Sequence, residues 1–234
     1  MKVMIRALAI CCAAGFTSMA FAERLEVFRW QANSSSPEGL VQGMMTAAKI
    51  HEKYGAAVGI YRLDVGSAGY PTFDYVLRWD SGQDWAKTKE SNFNEEWQEF
   101  WKQASQSPSG TMLMSLEGLN WNDSAKAADF ANDGPYRVYV WQPHAGKSAA
   151  VYAALTEAAK MHAAMGAKVN IYQEGVGGTG KVHYVLTFDD WAGMANFGDK
   201  MNASEELRFL RLVFADAATP IGSVQGEPLY YTGR

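Results

Sequence analysis

Two short stretches carry the side chains best suited to chemistry. In "TFDYVLRWD" (72–80), Asp74, Val76 and Arg78 alternate with Phe73, Tyr75, Leu77 and Trp79. In "VHYVLTFDD" (182–190), His183, Val185 and Thr187 alternate with Tyr184, Leu186 and Phe188. Period-2 alternation places each set on one face of a strand. The mixed sets therefore bring an acid, a guanidinium, an imidazole and a hydroxyl to a common face. Arg78 is suited to holding an anionic or carbonyl group of a ligand, with an ion pair to Asp74 as the structural alternative. His183, with an ordinary pKa of about 6.5, is suited to moving a proton near neutrality, and a satisfied strand histidine is the alternative. The neighbouring strands add Tyr61 from "AAVGIYRLDV" and Lys168, Asn170 and Tyr172 from "AKVNIYQE" to the same face.

Other chemistries lack their residues. No two histidines stand at metal-ligand spacing, and both cysteines, Cys11 and Cys12, fall in an N-terminal apolar run, so no metal site and no cofactor is expected. "GVGGTG" (175–180) lacks the Lys-Ser/Thr of a phosphate loop and reads as a hairpin turn. No G-x-S-x-G elbow occurs. His51 and His162 each sit on an apolar helical stripe one turn before a glycine, where capping the last free carbonyls is the expected role. His144, in a Pro/Gly loop, reads as solvated. The tryptophan-rich "EEWQEFWKQ" (95–103) reads as a core stripe through positions 93, 97, 100 and 101, with a partner-binding helix as the alternative.

The elements that position these residues repeat. "AAKIHEKYGAAVGIY" (47–61) returns as "AAKMHAAMGAKVNIY" (158–172), 111 residues later. "VFRWQ" (27–31) pairs with "VYVWQ" (138–142), and "YVLRWD" (75–80) with "YVLTFD" (184–189), in the same order. Within the first copy, "EVFRW" predicts a strand. A helix follows with Ser36 as N-cap, Pro37 in its first turn and Gly55 at its end. Two strands come next, then a second helix capped by Asp80/Ser81 and carrying Trp85, Phe93, Trp97, Phe100 and Trp101. "TMLMSLEGLNW" closes the copy as a strand. The order is βαββαβ, a four-stranded antiparallel sheet with both helices on one face. The other face needs a cover, and a second copy supplies it face to face.

Residues 1–22, "MKVMIRALAICCAAGFTSMAFA", have Lys2 and Arg6, a short apolar run and an Ala-x-Ala end. They predict a secretory leader cleaved after Ala22, and hence a periplasmic or secreted protein. Without Lys2 and Arg6 the 21 basic residues fall to 19 against 25 acidic ones, a formal charge of −6. No Lys/Arg-rich run is present, so neither nucleic acid nor an anionic membrane is an expected partner.

The βαββαβ order, the "YVLTFDD-W" strand-to-helix passage and "ASEELRFL" (203–210) resemble the dimeric α/β-barrel superfamily in a tandem, single-chain form. The resemblance implies an α+β fold in which two fused ferredoxin-like units form a pseudo-dimeric α/β barrel. The units would span 23–121 and 137–234, joined by a small, polar linker over 122–136, and the chain would be a monomer by internal pairing. Relatives include antibiotic-biosynthesis monooxygenases, haem-degrading enzymes and stress-response barrels. Three functions fit these residues. The first is an exported barrel binding a small, partly apolar molecule between its two sheets. The second is a cofactor-independent monooxygenase-like enzyme on an aromatic substrate, in which Tyr61, Tyr172 and Arg78 position the substrate and His183 moves a proton. The third is a structural or interaction protein with a filled barrel.

Overall fold

The computed structural model describes residues 23–33, 36–67, 69, 71–205 and 214–233. The leader expected over 1–22 and the latter part of "ASEELRFL" (206–210) lie outside the described residues.

The first half runs β1 (Arg24–Ala32), α1 (Pro37–Lys53), β2 (Ala57–Val65), β3 (Thr72–Trp79), α2 (Gly82–Ser91), α3 (Glu95–Gln106) and β4 (Gly110–Asn120). The second runs β5 (Tyr136–Pro143), α4 (Ser148–Ala164), β6 (Lys168–Glu174), β7 (Val182–Thr187), α5 (Trp191–Ala203) and β8 (Ala218–Tyr231). The eight strands close into one antiparallel barrel in the order β1-β3-β2-β8-β5-β7-β6-β4. The arrangement differs from two sheets stacked face to face. β2 is hydrogen-bonded to β8, with Gly59 opposite Tyr231, and β4 to β6, with Asn120 opposite Tyr172. Closure pairs every edge strand, which removes the unpaired N–H and C=O rows that open sheets must protect.

The alternation read from sequence sorts the side chains as expected. Phe73, Tyr75, Leu77 and Trp79 join Val58 and Ile60 in a core packed under α1 and α3. Tyr184, Leu186 and Phe188 join Ile171 in the equivalent core under α4 and α5. A third, smaller cluster of Leu25, Tyr61, Val76, Phe130, Tyr136, Tyr172 and Tyr231 lies inside the barrel. Gly55 and Gly166, at φ +96° and +104°, end α1 and α4 in the left-handed conformation that glycine adopts without steric cost.

Two expectations are corrected. Ser36 stands at the N-cap of α1 but makes no side-chain capping bond. The single second helix of the first half is two: Ser81 Oγ accepts from Asp84 N to start α2, and Asn94 Oδ1 accepts from Trp97 N at 2.9 Å to start α3. A new cap so soon after Ser91 turns the chain and rotates the aromatic stripe, so that Trp97 is buried while Phe93 is 83% and Trp101 53% exposed. The stretch read as a polar linker, 122–136, lies between β4 and β5 and packs against the barrel. Its helical turn Ala127–Phe130 buries Ala127 and Phe130, and Tyr231 Oη donates to Ala127 O at 2.5 Å.

Candidate functional site

Six of the eight predicted site residues, Tyr61, Asp74, Arg78, Tyr172, His183 and Thr187, line one cavity of about 100 Å³ inside the barrel. The other two are elsewhere. Lys168, with its side chain 47% exposed, reaches Asp133 at 3.3 Å and Asp189 at 3.1 Å on the barrel rim. Asn170 Oδ1 accepts from Asn120 Nδ2 at 3.1 Å.

Strand register explains who meets whom. Arg29 on β1 lies opposite Asp74 on β3, and its Nε and Nη2 donate to the two carboxylate oxygens at 2.7 and 2.8 Å. Asp74 therefore pairs with Arg29 and not with Arg78. Arg78 lies at the end of the barrel closed by the 127–130 turn. Its Nη1 donates to Glu23 Oε1 at 2.6 Å and to Tyr172 Oη at 2.8 Å, and its Cζ lies 3.7 Å over the Phe130 ring. Asn120 Nδ2 donates to the other Glu23 oxygen at 2.9 Å. Burial opposes a charged guanidinium here, yet the facing tyrosines and Glu23 outweigh it and hold Arg78 well above its ordinary pKa.

His183 lies opposite Tyr172 in the β6–β7 hairpin, two residues from the turn that begins after Glu174. Its Nε2 is 2.8 Å from Glu174 Oε1. The other Glu174 oxygen accepts from the backbone N–H of Thr179 at 2.7 Å and of Lys181 at 3.2 Å. Burial alone would raise this carboxyl, but the His183 contact and those two amides overcome it and lower its pKa to about 2. An ionised carboxylate thus orients an imidazole at the cavity wall, the arrangement a general base uses.

Two larger chambers lie outside the barrel, between sheet and helices. The chamber under α1 and α3 holds about 430 Å³ and is walled by Phe28, Trp30, Tyr75, Trp97, Phe100 and Trp101, with His51 and Lys89. The one under α4 holds about 480 Å³ and includes Tyr139, Trp141, His162, Tyr184 and Phe214. His51 and His162, expected to cap their helices, each reach a tyrosine of the sheet. Their Nδ1 atoms sit 2.7 Å from Tyr75 Oη and Tyr184 Oη respectively. Desolvation, assisted by Lys89, lowers the pKa of His51 to about 4, so its ring is neutral at physiological pH. His144 is exposed as expected but bonded, with Nδ1 3.1 Å from Asp216 O and Nε2 2.9 Å from Thr219 Oγ1. Among the described residues no group of three or more His, Cys, Asp or Glu side chains is placed to hold a metal ion.

Sequence reading missed Glu23, Arg29, Phe130, Asp133, Tyr136 and Glu174. Arg29 was within reach, because it alternates with Phe28 and Trp30 in "VFRWQ" and so takes the inner face. Glu23 and Phe130 carry no periodic signal, since each acts from a segment where a strand begins or a turn crosses the barrel end.

No protein-family model and no curated protein sequence matches the chain. Solved structures do. A monooxygenase candidate from Fusobacterium nucleatum subsp. nucleatum superposes with a TM-score of 0.63 at 11% identity, over 91% of this chain and 95% of that one. An anthrone oxidase-like protein gives 0.57 at 12% identity, over 90% and 94%. A chlorite dismutase candidate gives 0.55 at 13% identity, over 89% and 95%. Identities this low show the fold alone, an α+β architecture built on an eight-stranded antiparallel barrel.

Proposed function

We propose that the chain is an exported, periplasmic or secreted, small-molecule-binding barrel made of two fused ferredoxin-like units, and that it holds a flat, largely apolar molecule in the aromatic chamber of its first half. The observation that carries this is the chamber itself. At about 430 Å³ it falls in the range of small-molecule sites, whereas the barrel interior, at about 100 Å³, is smaller than the roughly 150 Å³ that accepts benzene. Aromatic walls give area and shape. Trp97 Nε1, buried and without a hydrogen-bond partner among the described residues, supplies a donor for one polar group on the ligand. Native mass spectrometry beside an absorbance spectrum, on protein purified from its own exported compartment, tests the reading. A stoichiometric adduct that is lost on filling the chamber supports it. An adduct-free protein that also fails to bind anthraquinone, added as a three-ring probe, sinks it.

A second reading, a cofactor-independent oxygenase-like enzyme on an aromatic substrate, is favoured by the His183–Glu174 pair and by the likeness to structures named for monooxygenases and anthrone oxidase. Under it, His183→Ala abolishes oxygen uptake with anthrone while the circular dichroism spectrum is unchanged. Uptake that persists in the variant removes His183 from the chemistry.

A further inference from the structure

The aromatic chamber of the first half has walls that pull in two directions. Ring faces such as those of Trp30, Tyr75, Trp97 and Trp101 attract a cation. A cation held there would also need a carboxylate, and among the described residues that line the chamber there is no Asp or Glu. The charged side chain in that lining is Lys89. Like charge therefore opposes what the rings alone would invite.

Lys89 stands in the last turn of α2, and its ammonium donates to Glu26 Oε2. Glu26 is two residues from Phe28 on the same face of β1 and directly opposite Leu77 on β3. Phe28 and Leu77 both line the chamber, so the ion pair stands at one end of it. Glu26 itself is outside the lining. Trp85 Nε1 donates to its other oxygen at 3.0 Å, and its side chain is 12% exposed against 34% for Lys89. An ammonium carries three N–H donors, of which Glu26 takes one.

The charge of Lys89 is felt inside the chamber in spite of that partner. His51, in the same lining, has its pKa lowered by desolvation first and by Lys89 second, and no described carboxylate counters the effect. Trp97 Nε1, in the same wall, is a donor as well. Donors and a positive field together call for a ligand that brings an acceptor and negative charge.

We propose that the aromatic chamber selects flat aromatic compounds bearing an ionised carboxylate, which Lys89 draws to its end of the chamber. This rests on the chamber being the ligand site, as argued above, and adds the chemical class of the ligand.

Three probes of one two-ring shape test it by isothermal titration calorimetry at neutral pH: 2-naphthoate, uncharged 2-acetylnaphthalene and the 2-naphthylmethylammonium ion. 2-Naphthoate is expected to bind about tenfold more tightly than 2-acetylnaphthalene, the worth of one hydrogen bond from a charged donor, and the ammonium ion more weakly than either. Glu26→Gln, which leaves Lys89 without its carboxylate, is expected to widen the preference for 2-naphthoate. The double variant Glu26→Gln, Lys89→Met strands no charge and is expected to abolish the preference while 2-acetylnaphthalene binds as before. Equal affinities for 2-naphthoate and 2-acetylnaphthalene in the parent, or tighter binding of the ammonium ion, would overturn the acid class; anthraquinone binding in the same protein would then leave the chamber reading intact. Failure of anthraquinone and of all three probes sinks both. A preference that survives in the double variant removes Lys89 from the selection. Gly43, at the chamber's edge with open space beside it, gives the last control: 2-naphthoate binding that persists in Gly43→Leu places the acid outside the chamber and ends the proposal.

Discussion

The imidazole of His183 meets the carboxylate of Glu174 at 2.8 Å, and the same carboxylate ties down the β6–β7 turn through the amides of Thr179 and Lys181. One acid therefore orients the imidazole at the barrel cavity and closes the hairpin that carries it. Its pKa near 2 lies below the ordinary 4.5, so the folded form binds its proton less readily than the unfolded form. The resulting stability is complete above pH 4.5 and is lost as pH falls from 4.5 to about 2. Glu174→Gln is expected to lower the urea midpoint at neutral pH, with the gap to the parent closing across that acid window. Parallel midpoints at every pH would show that the carboxylate is not held down by these contacts.

Arg78 and Glu23 form the deepest ion pair described, with side chains 7% and 0% exposed. Removing one partner strands the other charge away from water, which costs about 3–5 kcal/mol. Glu23→Ala and Arg78→Met are each expected to lose stability on that scale in urea denaturation. The double variant Glu23→Leu, Arg78→Met is expected to recover most of it. Additive losses in the double variant would show that each residue acts through packing and not through the pair.

His51 is neutral in the fold, with its pKa lowered from 6.5 to about 4 by desolvation first and by Lys89 second. The unfolded chain takes up a proton near 6.5 that the folded chain refuses until about 4. Stability from the buried neutral ring is thus present above pH 6.5 and declines as pH falls towards 4. A ¹⁵N NMR titration of His51 is expected to show the neutral ring persisting at pH 5, and His51→Gln to flatten the decline in urea midpoint between those limits. A His51 titration centred near 6.5 would contradict its burial against Trp97 and Tyr75.

How far the sequence reached depended on what kind of residue did the work. Strand faces were legible because alternation is local: Phe73, Tyr75, Leu77 and Trp79 turn to the helices and Asp74, Val76 and Arg78 turn inward, as period 2 requires. Partner choice was not legible, because it depends on register between strands far apart in the chain. Asp74 sits beside Arg78 in its own strand yet pairs with Arg29, which β1 places directly opposite. The break between α2 and α3 was hidden for a different reason. Asn94 caps as well as Ser81 does, but it stands inside an unbroken aromatic pattern that reads as one helix. The chambers under the helices were invisible to any periodicity, since a residue on an apolar stripe looks the same whether its neighbour fills the space or leaves it.

Gly59 shows what close approach inside the barrel demands. A Cβ added there would fall 2.4 Å from the Tyr61 ring and 2.7 Å from its hydroxyl, because the ring folds back over the glycine. Gly59→Ala is expected to destabilise the protein by about 1–3 kcal/mol, the ordinary cost of overpacking. Adding Tyr61→Leu, which takes the ring away, is expected to restore part of the loss. Gly222→Ala, where nothing lies within 4 Å, serves as the control and is expected to be near neutral.

The aromatic chamber can be filled from its own wall. Gly43 sits on α1 at the chamber's edge, and a Cβ there meets nothing within 4 Å. Its helix is regular on both sides, so a larger residue also removes the penalty of glycine in a helix interior, about 1 kcal/mol. Gly43→Leu is therefore expected to raise the melting temperature and, at the same time, to abolish binding of anthraquinone and of any adduct that purifies with the parent. Arg78 and His183, at the barrel cavity, are untouched by the change. A Gly43→Leu protein that is stabilised and still carries its adduct would place that ligand outside the chamber. One that is destabilised would mean that the space is already filled by the movement of its own tryptophans. Only gain of stability together with loss of binding supports an open chamber built to receive a flat molecule.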